Sequence, residues 1–342
     1  MVISIIIAFR NEANKLLQCL QSLERQDLSR SCFEIICVDD GSTDGSSKIA
    51  QEGADIYVKN SGVGQVVARN EGVAHASGKY LLFIDAHTVL PENALSYFSS
   101  VLADNKLVSG VFGRYHSLHL SDKNHIRDIR RMAVFGKGDK KKLVTLDNFT
   151  TLSLAVFFTR KAVLDKISFP HSFGKSFGED IFFQLKAHSL GHIFLYDPRV
   201  NVIHDAEINM KDLFKKMSLE IRGVENIIKQ SAVELFDLNI PRLAFFLSYP
   251  LFEFLLLSLA IVSRNYYFFL LAVCYIFFRY RAVIKILTLK DYPIGLRIQT
   301  IIYLCTKEIF QFCYLPLSVI KNTQFRKRHL KYLVKTIINW SL

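Results

Sequence analysis

The stretch Val2-Ile3-Ser4-Ile5-Ile6-Ile7-Ala8-Phe9-Arg10-Asn11-Glu12 decides the fold. It is apolar and rich in β-branched residues up to Phe9, then turns polar at once. A continuous apolar run, unlike an alternating one, marks a strand buried on both faces. The pattern recurs outward from it. Leu16, Leu17, Leu20 and Leu23 fall on one face of a helix. A second run, Phe33–Val38, ends in Asp39-Asp40-Gly41-Ser42-Thr43-Asp44-Gly45, whose turn and cap residues announce another helix. A short strand at Asp55–Val58 leads to Gly62-Val63-Gly64 and a helix over Gln65–Ala76. A further run, Tyr80–Ile84, ends at Asp85-Ala86-His87.

Buried strands alternating with helices predict an α/β fold, with a mostly parallel central sheet covered on both faces. Ligands of such sheets bind at the carboxyl ends of the strands. Arg10-Asn11-Glu12, Asp39-Asp40 and Asp85-Ala86-His87 are therefore expected along one edge. Further on, Leu107–Arg114 and Leu152–Thr159 read as strands, with the basic stretch Lys137–Lys142 as a solvated loop between them. Phe177-Gly178-Glu179-Asp180 precedes a helix over Ile181–Ser189, and strands at His192–Tyr196 and Val200–Ile203 end at His204.

Half of the 342 residues are hydrophobic, which excludes a disordered or collagen-like chain. Cys19, Cys32, Cys37, Cys274, Cys305 and Cys313 are too sparse for a disulfide scaffold and form no CxxC pair, so a reducing compartment is expected. The N-terminus has no basic n-region and reads as a strand, not a signal peptide. Residues 1–205 carry 24 Lys and Arg against 22 Asp and Glu, whereas residues 206–342 carry 19 against 9. The basic part is also the most apolar. Met210–Lys229 is amphipathic, suited to a membrane interface or to covering the preceding domain. Ala244–Val262, Tyr266–Phe278 and Ile298–Val319 are apolar, and the tail carries Arg326-Lys327-Arg328-His329. Basic plus apolar points to an anionic membrane rather than to nucleic acid, for which no zinc-finger or RNP-type motif is present.

The expected edge has its own chemistry. Asp85 and His87, two apart where a strand turns, can reach one divalent cation, and the Asp/His pair suits Mn2+ somewhat better than Mg2+. His204, at another strand end, is a candidate third ligand or a structural histidine. Asp39 and Asp40 can bind a base edge or ribose hydroxyls, or cap the next helix. Arg69 can meet phosphate bidentately, or pair with Glu71. Glu179 and Asp180 can furnish a general base, or cap their helix.

Ser4–Glu12, Val38–Gly45, Ala68-Arg69-Asn70-Glu71-Gly72 and Gly78–Asp85 together resemble family 2 glycosyltransferases of the GT-A fold, in motif order and spacing. Gly178-Glu179-Asp180 and the strand ending at His204 extend the resemblance to about residue 205. It implies an inverting transferase with a nucleotide-diphospho-sugar donor and a divalent metal, Mn2+ or Mg2+. In that likeness Ala8 and Glu12 flank the base and ribose, Asp40 contacts the base and Arg69 the nucleotide, and Arg10 and Asp39 are expected among the residues that bind the nucleotide-sugar. Asp85 meets ribose and metal, and Asp180 is the base, with Glu179 beside it.

Most of the family has Asp-x-Asp where this chain has Asp85-Ala86-His87, which is similar to the succinoglycan-type exopolysaccharide subgroup and to polypeptide N-acetylgalactosaminyltransferases. No Gln-x-x-Arg-Trp motif follows residue 205, and the single tryptophan is Trp340, unlike processive, cellulose-synthase-like enzymes. A dehydrogenase or nucleotidyltransferase would need a glycine-rich turn after the first strand, where Ala8–Glu12 has none.

The expected organisation is a GT-A catalytic domain over 1–208, amphipathic interface helices over 209–241, and a helical membrane-associated region over 242–342. The expected partners are the donor, a saccharide or lipid-linked acceptor, and the membrane, with the catalytic domain on the cytoplasmic side. A polyprenyl-phosphate glycosyltransferase and a non-catalytic scaffold derived from a transferase are the alternatives.

Overall fold

Three long apolar runs form the centre of the sheet. They are β1 (Ile3–Phe9), β2 (Phe33–Asp39) and β4 (Tyr80–Asp85), and almost every side chain in them is buried. The computed structural model describes residues 2–116, 140–145, 152–173 and 178–204, with two isolated positions, 219 and 226. β3 (Ile56–Lys59) joins β2, so β3-β2-β1-β4 is a block of parallel strands, the pairing expected of strand–helix alternation. Its connections are α1 (Ala13–Glu24), α2 (Ser46–Gly53) and α3 (Gln65–His75).

Helices cover both faces. Ile3, Ile5 and Ile7 pack in one core with Leu16, Leu20 and Leu23 of α1. Leu17, expected on the same face, is 45% exposed, because Cys19 fills the inward position instead. On the opposite face Ile6 meets α3 at Gly72, where a Cβ would lie 2.4 Å from the Ile6 Cγ2. That glycine lets α3 sit close to the sheet.

The rest of the sheet departs from the expected mostly parallel arrangement. β8 (Val156–Arg160) lies between β4 and β6 (Val108–His116) and runs antiparallel to both. β9 (Ile193–His204) is parallel to β6, while β5 (Thr88–Val89) and β7 (Lys142–Val144) are antiparallel to β9. The sheet is mixed. Val156-Phe157-Phe158 is as buried as β1, and an apolar run reports burial on two faces, not direction. Within the expected strand Leu152–Thr159, residues 152–155 precede the strand, with a turn at 154–155, and only the later ones enter β8. Lys140 and Lys141 are exposed, as a solvated stretch should be, but Lys142 begins β7.

β9 joins what the sequence divides into two strands. Its pairing with β6 slips between Tyr196 and Asn201, and the extra residues bulge around Asp197. Asp197 is fully buried and is held by the Arg199 side chain and the Tyr97 hydroxyl. Past the bulge the strand continues until His204 stands opposite Thr88. The remaining α-helices among the described residues are α4 (Ala94–Asp104), α5 (Lys161–Leu164) and α6 (Glu179–Ser189).

The amphipathic region over 209–241 and the apolar region over 242–342 lie outside the described residues, apart from positions 219 and 226, which are helical. Among the described residues no helix is long and apolar enough to cross a membrane.

Gly72→Ala tests the close approach of α3. In an open helix the change would stabilise by about 1 kcal/mol. Here the added methyl meets Ile6, so overpacking should outweigh that gain and destabilise by about 1–3 kcal/mol. Urea denaturation of the two proteins measures the difference.

Candidate active site

The parallel block aligns the strand ends. Ala8 stands opposite Asp85, and Phe9 opposite Asp39. The pairing of Thr88 with His204 brings in a residue from the far end of the domain. Asp85 Oδ2 then lies 3.0 Å from His204 Nε2 and 4.0 Å from His87 Nε2, and the two imidazole nitrogens are 3.0 Å apart. Three lone-pair donors thus converge on one point. In an octahedral ion with bonds of about 2.1 Å, neighbouring ligands are about 3 Å apart and opposite ones about 4.2 Å; two sides of the triangle match the first spacing and the 4.0 Å side lies near the second, so the three atoms can share a divalent cation. The two imidazoles favour a borderline metal over a strictly oxygen-seeking one.

The surroundings suit that use. His87 Nδ1 faces Glu12 Oε1 at 3.5 Å, which turns Nε2 toward the triangle in the manner of a carboxylate behind a ligating histidine. Burial alone would raise the Asp85 pKa. The hydrogen bond to His204, and the charges of His87 and Arg69, outweigh it and hold the carboxyl well below the usual carboxylate range.

Behind Asp85 lies a buried charge chain. Arg69, 6% exposed, donates Nη2 to Asp85 Oδ1 at 3.2 Å and Nη1 to Glu179 Oε1 at 2.7 Å. Gln65 Nε2 donates to the same Glu179 oxygen at 3.0 Å. Arg69 is therefore engaged with Asp85 and Glu179, where the sequence offered phosphate or Glu71. Gly178 starts α6 with φ of 103°, a left-handed conformation natural to glycine, and sets Glu179 and Asp180 in the first turn. Adjacent helical side chains diverge by about 100°. Glu179 points inward and is 4% exposed, while Asp180 is partly exposed. The Asp180 pKa is pushed up to about 7, first by burial and then by the charge of Glu179, against the Ile181 N–H and Arg69.

Comparison with known proteins matches this architecture. The family model for glycosyl transferase family 2 covers residues 4–168. Residues 4–168 are a glycosyl transferase family 2 domain. The poly(ribitol-phosphate) beta-glucosyltransferase of Bacillus spizizenii is 34% identical over 114 residues, which is 31% of this chain and 18% of that one. The glycosyltransferase AglE of Haloferax volcanii is 34% identical over 89 residues, 24% of this chain and 29% of that one. The chain thus spans less than a third of either curated relative. Among solved structures, the mannosyltransferase PcManGT from Pyrobaculum calidifontis superposes with a TM-score of 0.54 at 18% identity, over 94% of this chain and 86% of that one. That likeness is one of fold, the GT-A-like α/β fold.

Within the family 2 domain, the edge that the sequence predicted is present, but its residues divide their tasks. Asp39 is fully buried and accepts from the Ser42 N–H at 2.7 Å, from Ser47 Oγ and from Tyr57 Oη, so it braces the turn. Asp40 Oδ1 accepts the Gly64 N–H at 3.0 Å, which ties the second strand end to the start of α3. Arg10 is exposed beside that turn, and Ala8 is half-buried. Glu12 lies behind His87, a partnership the sequence did not signal. Gln65 was also missed, since a lone glutamine on a helix carries no pattern.

If the triangle holds the cation, removing one corner should weaken it sharply. Outer partners of metal ligands are worth about 10–100-fold in affinity, and a ligand should be worth no less. Mn2+ affinity of His204→Ala, read from the free Mn2+ signal in electron paramagnetic resonance, should fall by about tenfold or more. Unchanged binding would place the ion elsewhere.

Proposed function

We propose that the chain is an inverting glycosyltransferase that moves a sugar from a nucleoside-diphospho-sugar to a hydroxyl of a saccharide or lipid-linked acceptor. The convergence of Asp85, His87 and His204 at the carboxyl edge of the sheet carries this reading. Two names lend it support: the Bacillus relative is a glucosyltransferase acting on poly(ribitol-phosphate), and the Pyrobaculum structure contains GDP-Man and Mn2+. Asp85, His87 and His204 would hold a divalent cation, Mn2+ or Mg2+, which would supply counter-charge to the leaving diphosphate.

Each of the chain's own groups then has a task. Asp40 and Arg10 face the nucleotide where the first two strands end. Asp180 takes the proton of the acceptor hydroxyl as its oxygen bonds to the anomeric carbon and the carbon–oxygen bond to the diphosphate breaks. One displacement of this kind inverts the anomeric centre. A base with a pKa near 7 is well matched to a proton transfer at neutral pH.

The setting we propose is cell-surface or exopolysaccharide synthesis at the cytoplasmic face of the cell membrane. The basic excess and apolar segments after residue 205 support attachment there. The division into 1–208, 209–241 and 242–342 belongs to the same proposal.

EDTA should abolish transfer, and Mn2+ should restore it at least as well as Mg2+. Full activity after chelation would remove the cation from the reaction.

The base makes a separate prediction. Asp180 must be ionised to accept a proton, so transfer should rise with pH through about 7. Asp180→Asn should lower turnover by about 10²–10⁴-fold while nucleotide binding persists. Near-normal turnover, or nucleotide affinity lost in step with rate, would remove Asp180 from the role of base.

The raised Asp180 pKa also bears on stability. The folded state binds the Asp180 proton more tightly than the unfolded chain, so ionisation costs stability as pH rises through about 7. Asp180→Asn should therefore raise Tm relative to the parent more at pH 8 than at pH 5.

A further inference from the structure

Glu179 reads from the sequence as a companion of the base, orienting acceptor hydroxyls or capping α6. Its surroundings give it another task. Among the described residues, the two hydrogen bonds it accepts both fall on Oε1, from Arg69 at 2.7 Å and Gln65 at 3.0 Å. Its Oε2 is buried and accepts no hydrogen bond among the described residues. A side chain this closed off does not reach an acceptor sugar. A carboxylate buried with one oxygen unsatisfied is also an expensive way to cap a helix.

The object it holds is Arg69. A buried guanidinium opposite a carboxylate settles into a fork, two parallel N–H bonds to two oxygens. Arg69 does not do this with Asp85. It gives Asp85 one longer contact, at 3.2 Å to Oδ1, and gives its shorter bond to Glu179. A fork on Asp85 would draw Oδ2 away from His204 and His87 and dissolve the triangle.

We propose that Glu179 is a positioning residue that holds one end of Arg69, keeps the arginine from closing on Asp85, and so reserves Asp85 Oδ2 for a divalent cation. The proposal rests on the reading of Asp85, His87 and His204 as a cation site. Gln65 fixes Glu179 in turn, so that three residues from two distant helices set the aim of one carboxylate oxygen.

Mn2+ binding to the full chain, without nucleotide or acceptor, tests this independently of transfer. Glu179→Gln leaves only a neutral amide oxygen facing Arg69, which weakens the hold on the arginine, and should weaken Mn2+ binding by about 10–100-fold, the range for an outer partner of a metal ligand. That loss alone does not separate positioning from charge. Glu179→Asp separates them, because it keeps the charge but withdraws the carboxylate by one methylene. It should also lose affinity, by less. The double variant Glu179→Gln with Arg69→Met removes the competitor and both buried charges together, and should recover affinity toward that of the parent.

Parent-like affinity in Glu179→Asp would show that charge alone suffices and would overturn the proposal. So would a double variant no tighter than Glu179→Gln. A crystal structure of metal-free Glu179→Gln gives the direct view. Arg69 bonded to both Asp85 oxygens supports the proposal, and a single contact as in the parent refutes it. If the parent itself bound no Mn2+, the cation reading would fall and this inference with it. Tight binding in the parent, unchanged in Glu179→Gln, would sink this inference alone.

Discussion

The two oxygens of Asp85 look in different directions, and the domain is arranged around that division. Oδ1 meets a guanidinium at 3.2 Å, and Oδ2 meets an imidazole at 3.0 Å. A carboxylate ending a buried parallel strand has little freedom, so its partners must be brought to it. α3 brings Arg69, and can do so because Gly72 lets the helix lie against Ile6. β9 brings His204, and reaches it only by carrying its bulge around the buried Asp197. α6 brings Glu179, from 110 residues away. Charges buried in this way do little for stability by themselves, since desolvation offsets most of the attraction. Their value lies in the geometry they hold.

Much of the parallel block was legible. The runs at Ile3–Phe9, Phe33–Asp39 and Tyr80–Asp85 are strands for the same reason they look like strands: nothing polar interrupts them until the edge where ligands bind. The sequence alone therefore places the residues ending them together. The second half was less legible. Val156-Phe157-Phe158 carries the same apolar signature as β1 yet runs the other way, because strand direction depends on how the chain returns to the sheet. Asp197-Pro198-Arg199 falls in the gap between the two strands read at His192–Tyr196 and Val200–Ile203, whereas β9 absorbs it as a bulge. α4 was missed although Asn93 stands at its N-cap and Asn105 at its C-cap, with Leu95, Phe98 and Leu102 buried on one face.

The site divides along the same line. Asp85 and His87 are two apart and declare themselves, whereas the approach of His204 spans 119 residues and follows only from the register of β5 with β9. Arg69 was legible as a functional arginine, but its partners were not. Glu71 is the nearest acid in sequence but lies two residues along a helix, where side chains do not face each other. Glu179 and Asp180 looked equivalent on paper. The turn of α6 separates them, burying one against Arg69 and leaving the other partly exposed with its pKa pushed up to about 7.

The central claim is that Asp85, His87 and His204 are three corners of one cation site. The most direct measurement is anomalous scattering at the manganese edge from crystals grown with Mn2+ and a nucleoside diphosphate. The account predicts a single strong peak about 2.2 Å from Asp85 Oδ2 and from the Nε2 atoms of both histidines, with the remaining positions open to diphosphate oxygens. A peak bound by Asp85 alone, with His87 and His204 still in contact with each other, would contradict it.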